Sequence, residues 1–129
     1  MLVFRIEDAA GKGAYRSSCH SHEPDEKRQP APWEDGKLLS VWAGLVDSGI
    51  NRDYFFGFGS LTQLKCWFYD EEWRAHADAS GLRISVYEVD ALACHPTEID
   101  AYLAYRGSKQ VIFRRESARL VRHISLLAI

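Results

Sequence analysis

The densest group of potential metal ligands lies near the N-terminus, where Cys19, His20 and His22 form a C-H-x-H cluster. Thiolate and imidazole groups are the ligands that zinc prefers in proteins. A structural zinc site needs four ligands in two spaced pairs, however, and the sequence has no second pair. We therefore favour a polar loop here over a metal site, and expect no metal cofactor.

Two further motifs are too weak to indicate chemistry. Cys94 and His95 are adjacent, so in an extended segment their side chains point to opposite faces and cannot form a nucleophile–base pair. The Gly57-Phe58-Gly59 triplet lacks the further glycine of a dinucleotide-binding loop. Neither motif predicts an enzyme by itself.

The N-terminal segment MLVFRIED alternates between apolar and polar positions, which predicts a strand near residues 2–8. Arg5 and Glu7 fall on one face of that strand. The simplest interpretation is a same-face ion pair on a half-exposed strand, which would contribute little to stability.

The remaining elements follow from apolar spacing and capping residues. The segment KLLSVWAGLVDSG predicts a helix that Asp35 could begin and Gly49 could end. The aromatic run YFFGF predicts a buried strand, in which Gly57 allows close approach to the backbone. Ser60 and Gln63 then have the spacing of a capping box, and a further helix begins near Asp70.

The C-terminal half adds more strands. We predict strands at 82–89, 110–115 and 119–127, and a short helix in HPTEIDAYLAYRG that Gly107 ends. The order of elements predicts an α+β fold with one twisted, mostly antiparallel or mixed sheet and packed helices. Residues 1–129 form a single domain by length, with an irregular Pro- and charge-rich loop at about 19–36.

Charge and composition exclude several classes. The net charge of −2 indicates no general attraction to nucleic acid. Residues 71–107 hold seven acidic and three basic residues, whereas 108–129 hold five basic and one acidic, so we expect the two segments to neutralise each other. No signal peptide or membrane span is visible, which predicts a cytoplasmic protein without a membrane partner. Three widely spaced cysteines imply no disulfide framework.

The order of elements resembles the ADP-ribosyltransferase fold. FRI is similar to that family's first strand, and YFFGFGSLTQL is similar to its aromatic strand leading through Ser into a helix. LRISVYEVD is similar to the strand that follows, and SKQVIFRRESARLVRHISL to its closing strands. The core FGF-S-LxQLxxWF also resembles small uncharacterised phage and prophage proteins, and this second likeness is the closer one.

The ADP-ribosyltransferase resemblance implies roles for five residues with NAD as the cofactor. Arg5 would contact a phosphate or ribose, and Tyr54 or Phe56 would stack on the nicotinamide ring. Ser60 would lie at a helix start beside the cleft, and Gln110 would take the catalytic position by bonding the nicotinamide ribose.

Gln110 is also where the chain departs from the family, which has glutamate there. A carboxylate stabilises a developing oxocarbenium charge and a neutral amide does not, so glutamine disfavours catalysis. Glu7 or Glu116 could substitute.

Two functions therefore remain open. One is an ADP-ribosyltransferase-like phage or prophage protein that binds NAD or a related nucleotide, with degenerate catalysis. The other is a non-catalytic phage-encoded inhibitor of a host defence system, for example an anti-CRISPR protein, that binds a host protein.

Overall fold

A computed structural model describes residues 1–14, 38–92, 104–106 and 110–129. Within these ranges the chain has helices and strands interleaved, and the predicted α+β class is confirmed. The helices are α1 (Leu39–Asp47), α2 (Leu61–Trp67) and α3 (Glu71–Ala79). The strands are β1 (Leu2–Glu7), β2 (Tyr54–Gly57), β3 (Arg83–Glu88), β4 (Ala91–Leu92), β5 (Ala104–Arg106), β6 (Val111–Arg114) and β7 (Arg119–Ile124).

The first sheet has three antiparallel strands in the order β1-β3-β7. Arg5 lies opposite Ser85, and Ser85 lies opposite His123, so these three residues share one face. The β3–β7 register shifts between Val86 and Tyr87, which leaves a bulge in β7. Among the described strands β7 pairs only with β3, so it lies at the edge of this sheet, and the bulge interrupts its regular pairing.

The second sheet has the order β2-β6-β5-β4, antiparallel except where β5 runs parallel to β4. A backbone bridge between Phe4 and Phe58 connects β1 to the end of β2. The prediction of one sheet containing the strands near 2–8, 82–89, 110–115 and 119–127 is therefore wrong. β6 pairs with the aromatic strand β2 instead of joining β1, β3 and β7.

Three apolar clusters hold the layers together. Helices α2 and α3 cover the outer face of the first sheet, where Trp67, Phe68 and Trp73 pack against Ile84 and Val86. The second cluster, which has residues from both sheets, lies between the sheets. In the third cluster, helix α1 covers the other face of the second sheet. The order of layers is α2 and α3, first sheet, second sheet, α1.

The Ser60 half of the predicted capping box is confirmed. The Ser60 Oγ accepts a hydrogen bond from the Gln63 N–H at 3.1 Å and begins α2. The Asp70 Oδ1 accepts from two N–H groups at the start of α3. Gly49 follows α1 with a φ of 71°, as expected for a glycine that ends a helix. Leu38 is the N-cap of α1, and Asp35 lies outside the described residues.

Gly57 is a point of close approach, as predicted. A Cβ atom added there would lie 2.5 Å from Val3 Cγ1 and 2.9 Å from the Phe4 carbonyl oxygen. Only glycine therefore lets β2 cross β1 at this distance.

The predicted helix in HPTEIDAYLAYRG is wrong over residues 104–106, which form β5. Tyr105 pairs with Ile112 of β6 and is fully buried. Sheet pairing and burial outweigh the local helix signal here. The rest of that segment, the loop at about 19–36, and the Cys19–His22 and Cys94–His95 motifs lie outside the described residues.

Candidate functional site

The face of β1 that looks toward the second sheet carries an ion cluster. Alternation places Arg5 and Glu7 there together, and Arg5 Nε lies 3.0 Å from Glu7 Oε2. Arg115, in the turn after β6, donates from Nη1 to the same oxygen at 3.0 Å. The Tyr87 hydroxyl donates to Glu7 Oε1. One carboxylate therefore accepts from two guanidinium groups and a phenol.

This cluster is more buried than the sequence suggested. The Arg5 and Glu7 side chains are 12% and 4% exposed, so the ion pair does not lie on a half-exposed strand. Arg5 also donates from Nη1 to the Phe56 carbonyl at 2.9 Å and from Nη2 to the Gly11 carbonyl at 3.4 Å. Because three of its nitrogen atoms already have protein acceptors, Arg5 ties β1 to β2 and to the loop after β1.

That loop, residues 8–14, packs directly on the guanidinium groups. The Asp8 Oδ1 accepts from the N–H groups of Ala10 and Lys12 and holds the turn. A Cβ atom at Gly11 would lie 2.5 Å from the Arg115 Nη1, and one at Gly13 would lie 2.9 Å from the Arg5 Nη2. The two glycines therefore let the backbone approach both arginines.

Phe55 supplies the aromatic surface of the cluster. The Arg5 Cζ lies 4.8 Å and the Arg115 Cζ 5.2 Å from the centroid of its ring. The Arg115 Cζ also lies 5.8 Å from the centroid of the Tyr87 ring. Such cation–π contacts strengthen as water is removed. The Phe55 ring thus lies against two cations that the Glu7 carboxylate also holds.

The ionisation of the cluster follows from these contacts. Burial acts to raise the pKa of Glu7, but the Tyr87 and Ser85 hydrogen bonds and the two arginines outweigh it, so the pKa lies below its usual value. Burial and the bond to Glu7 raise the pKa of Tyr87 to about 12. At neutral pH the cluster therefore has two positive charges and one negative charge. Arg115, at 40% exposure, carries the surplus charge nearest to solvent.

The structure separates several of the predicted site residues. The rings of Tyr54 and Phe56 lie in the cluster beneath α1, and the Phe56 ring centroid is 5.2 Å from that of Trp42. They are on the face of β2 opposite to Phe55, so only the backbone oxygen of Phe56 meets Arg5. The nicotinamide-stacking role of these two rings stays a prediction.

Ser60 and Gln110 are the other two predicted site residues. The Ser60 hydroxyl is engaged as the N-cap of α2, and that helix has seven residues. Gln110 is buried directly before β6. The roles of Ser60 and Gln110 toward NAD stay predictions.

The two possible substitutes for the missing glutamate differ sharply. Glu7 is buried and accepts from Arg5, Arg115 and Tyr87, so its oxygens already have partners. Glu116 is 79% exposed and lies 3.2 Å from the Arg114 guanidinium. Neither is arranged as a free carboxylate facing a cleft.

Sequence reasoning missed three members of the cluster. Phe55 could have been found, because strand alternation places it on the other face from Tyr54 and Phe56. Tyr87 and Arg115 carry no such local signal. Arg115 is 108 residues from Glu7 in the chain, and only the meeting of the two sheets makes them neighbours.

A second candidate site is the β7 surface, which we define as Arg119, Leu120, Val121, Arg122 and His123. All five residues are exposed, with Leu120 at 47% and Val121 at 45%. Because successive side chains of a strand point to opposite faces, both faces of β7 are open. Ser85 Oγ lies 3.3 Å from His123 Nδ1 and fixes that end of the strand to β3.

The arginines of the β7 surface are not neutralised within the described part of the chain. The ion pairs of Arg114 and Arg115 involve Asp53, Glu116 and Glu7. Over the same residues, no ion pair joins the acidic segment 71–107 to the basic segment 108–129. Arg119 and Arg122 therefore present their charge to solvent. Both segments include residues outside the described ranges, so the expected neutralisation of the two segments stays a prediction.

Two absences hold for the described residues. No group of three His, Cys, Asp or Glu side chains is placed to hold a metal ion. None of the helices there has the length and apolar character needed to span a membrane.

Comparison with known proteins identifies one family. The family model described as "Bacteriophage T4 Y00F protein" matches residues 1–127 of the 129-residue chain. Searches of curated proteins and of solved structures returned no match. The comparisons thus support the phage likeness and give no support to an ADP-ribosyltransferase-like fold. Since the family model covers nearly the whole chain, the chain belongs to the Bacteriophage T4 Y00F protein family.

Proposed function

We propose that this phage-family protein acts by binding a partner protein rather than by catalysis, and that it binds through the β7 surface. The observation that supports this is the exposure of two consecutive aliphatic side chains, Leu120 and Val121, on an edge strand. A sheet edge that exposes apolar side chains between charged residues is typical of an interaction site.

Leu39 and Val46 form a weaker candidate among the other exposed aliphatic side chains, which also include Leu2 and Leu127. Leu39 and Val46, at 54% and 46% exposure, are seven residues apart on α1, or about 10 Å along the helix axis. They therefore serve as a matched control for Leu120 and Val121.

The arrangement of the ion cluster disfavours catalysis and so favours a binding function. A glycosyl-transfer site of the predicted kind needs a carboxylate that is available to a developing positive charge. Gln110 supplies an amide at that position, and the Glu7 oxygens are occupied by Arg5, Arg115 and Tyr87. The cluster instead connects the two sheets and the loop at residues 8–14.

The test is capture from a bacterial extract followed by reconstitution. The wild type and the control L39S/V46S should enrich the same host protein, whereas L120S/V121S should not. The purified pair should then bind in calorimetry with the same dependence on β7. Equal enrichment by L120S/V121S and the wild type would remove the β7 surface as the binding site.

A second candidate function is binding of NAD or a related nucleotide, whereas a host-defence inhibitor would be one form of the protein-binding function proposed above. Nucleotide binding is favoured by the surplus positive charge at Arg115, which is partly exposed and lies over the Phe55 and Tyr87 rings. A guanidinium held in this way is suited to a phosphate group. Phe55, rather than Tyr54 or Phe56, would then be the ring nearest the ligand.

Calorimetry with NAD at millimolar concentration tests this candidate. R115Q is the better probe, because Arg5 ties three segments together and R5A would disturb the fold as well. If NAD binds, R115Q should weaken it, and Q110E should raise nicotinamide release because it restores a carboxylate. Absence of binding to the wild type would remove the nucleotide candidate and leave the binding-protein proposal intact.

A further inference from the structure

We infer that the partner of the β7 surface is an acidic, extended segment of another protein, which adds to β7 as a fourth strand of the β1-β3-β7 sheet. This inference rests on the proposed binding function and specifies its chemistry. The first support is geometric. In the described part of the chain β7 pairs only with β3, so its outer row of N–H and C=O groups is open to a new strand.

Side-chain exposure agrees with this mode of binding. Residues 119–123 are exposed on both faces of the sheet, so the layers that cover β1 and β3 do not extend over β7. An added strand would place its alternate side chains beside those of β7 on each face. On one face it could cover Leu120, which lies opposite Tyr87 in the register.

The charges on β7 indicate which kind of strand would bind beside it. β7 contains two arginines and no acidic residue, and neither arginine has an ion pair in the part of the chain that the structure describes. Glu88, opposite Arg119 in the register, is itself about half exposed and pairs with the N-terminal amine. A segment with glutamate or aspartate side chains would therefore gain cross-strand ion pairs.

A second copy of this chain is a poorer occupant. Two antiparallel β7 strands would bring four arginines together with no acidic residue in either strand, and like charges across a strand pair are unfavourable. The bulge near Val121 interrupts regular pairing for any added strand, so it does not distinguish between the two occupants. The charge of β7 is what disfavours self-association and favours an acidic strand.

Nucleic acid is disfavoured by the apolar part of the same surface. Surfaces that bind single-stranded nucleic acid use aromatic side chains for stacking beside their basic residues. The β7 surface has no Phe, Tyr or Trp, and its two central side chains are aliphatic. Leu120 and Val121 would gain from burial against apolar side chains of a protein strand.

The experiment uses the full chain and a blocked octapeptide in which glutamate alternates with valine. A control peptide has lysine in place of each glutamate, and a short DNA duplex serves as the polyanion control. Binding is measured by fluorescence anisotropy and located by amide chemical shifts. We expect the glutamate peptide to bind, with shifts along β7, and the lysine peptide and DNA to bind at least tenfold more weakly.

Charge variants separate local pairing from general attraction. R119Q/R122Q should weaken the glutamate peptide about fivefold to thirtyfold, since two ion pairs of about 0.5–1 kcal/mol each are lost. R52Q/K65Q removes two exposed cations elsewhere and should leave binding unchanged within about twofold. Circular dichroism of both variants checks that the fold is kept.

The following results would overturn the inference: tighter binding of DNA, equal binding of both peptides, shifts away from β7, or a β7-dependent dimer in sedimentation. Suppose that L120S/V121S fails to capture the host protein that the wild type captures, while the glutamate peptide does not bind β7. In that case the acidic-strand mode is wrong and the proposed binding function is retained. If the glutamate peptide binds β7 as expected, the inference holds even where no host protein is captured.

Discussion

Removal of the Glu7 carboxylate should be among the most damaging single changes to stability. E7Q keeps the shape of the side chain but leaves Arg5, which is 12% exposed, without its counter-ion. Breaking a buried ion pair by removing one partner costs about 3–5 kcal/mol. Arg115 is more exposed and can turn toward water, and an amide oxygen still accepts the Tyr87 hydrogen bond. We therefore expect about 3 kcal/mol, the lower end of that range.

Urea denaturation at neutral pH measures this loss. E116Q is the matched control, because Glu116 is also a carboxylate paired with an arginine but is 79% exposed. Its exposed pair should contribute no more than about 1 kcal/mol. A loss below about 1 kcal/mol for E7Q would refute the view that Glu7 is an essential counter-ion.

The difference in stability between the wild type and E7Q should depend on pH. The pKa of Glu7 is lowered in the folded state, so the unfolded state takes up its proton first as the pH falls. The carboxylate's contribution is complete above the unfolded pKa of about 4.3 and is lost as the pH falls through the lower folded value. The stability difference between the wild type and E7Q should therefore narrow in acid, and a constant difference down to the lowest pH at which both fold would contradict it.

Three further predictions concern the core and the ion cluster. W67A should cost about 3–5 kcal/mol in denaturant unfolding, because Trp67 is buried between α2 and the first sheet. G57A should cost at least about 1–3 kcal/mol, since its Cβ would meet a side chain at 2.5 Å, whereas the control G59A has its nearest neighbour at 3.8 Å and should cost much less. Tyr87 should titrate near pH 12 by ultraviolet absorbance, and Y87F should remove that step.

Local sequence signals determined the elements that depend on neighbouring residues alone. The alternation in residues 2–7 predicts β1, and the hydroxyl of Ser60 and the carboxylate of Asp70 begin α2 and α3 where the sequence places them. These predictions succeed because a cap is completed by the next two or three residues. Gly49 succeeds for the same reason, since a left-handed φ at a helix end is a local requirement.

Only the tertiary structure decided which strands share a sheet and which side chains meet. β6 has the pattern of a strand in any sheet, and its pairing with β2 depends on contacts more than 50 residues apart in the chain. Residues 104–106 likewise become a strand through that sheet. Glu7 meets Arg115 and Tyr87 only when the two sheets pack together. β7 is exposed because, in the described part of the chain, no strand pairs with its outer edge and the neighbouring layers do not extend over its faces. Strand partners are chosen by long-range burial, and alternation along one segment carries no information about the partner.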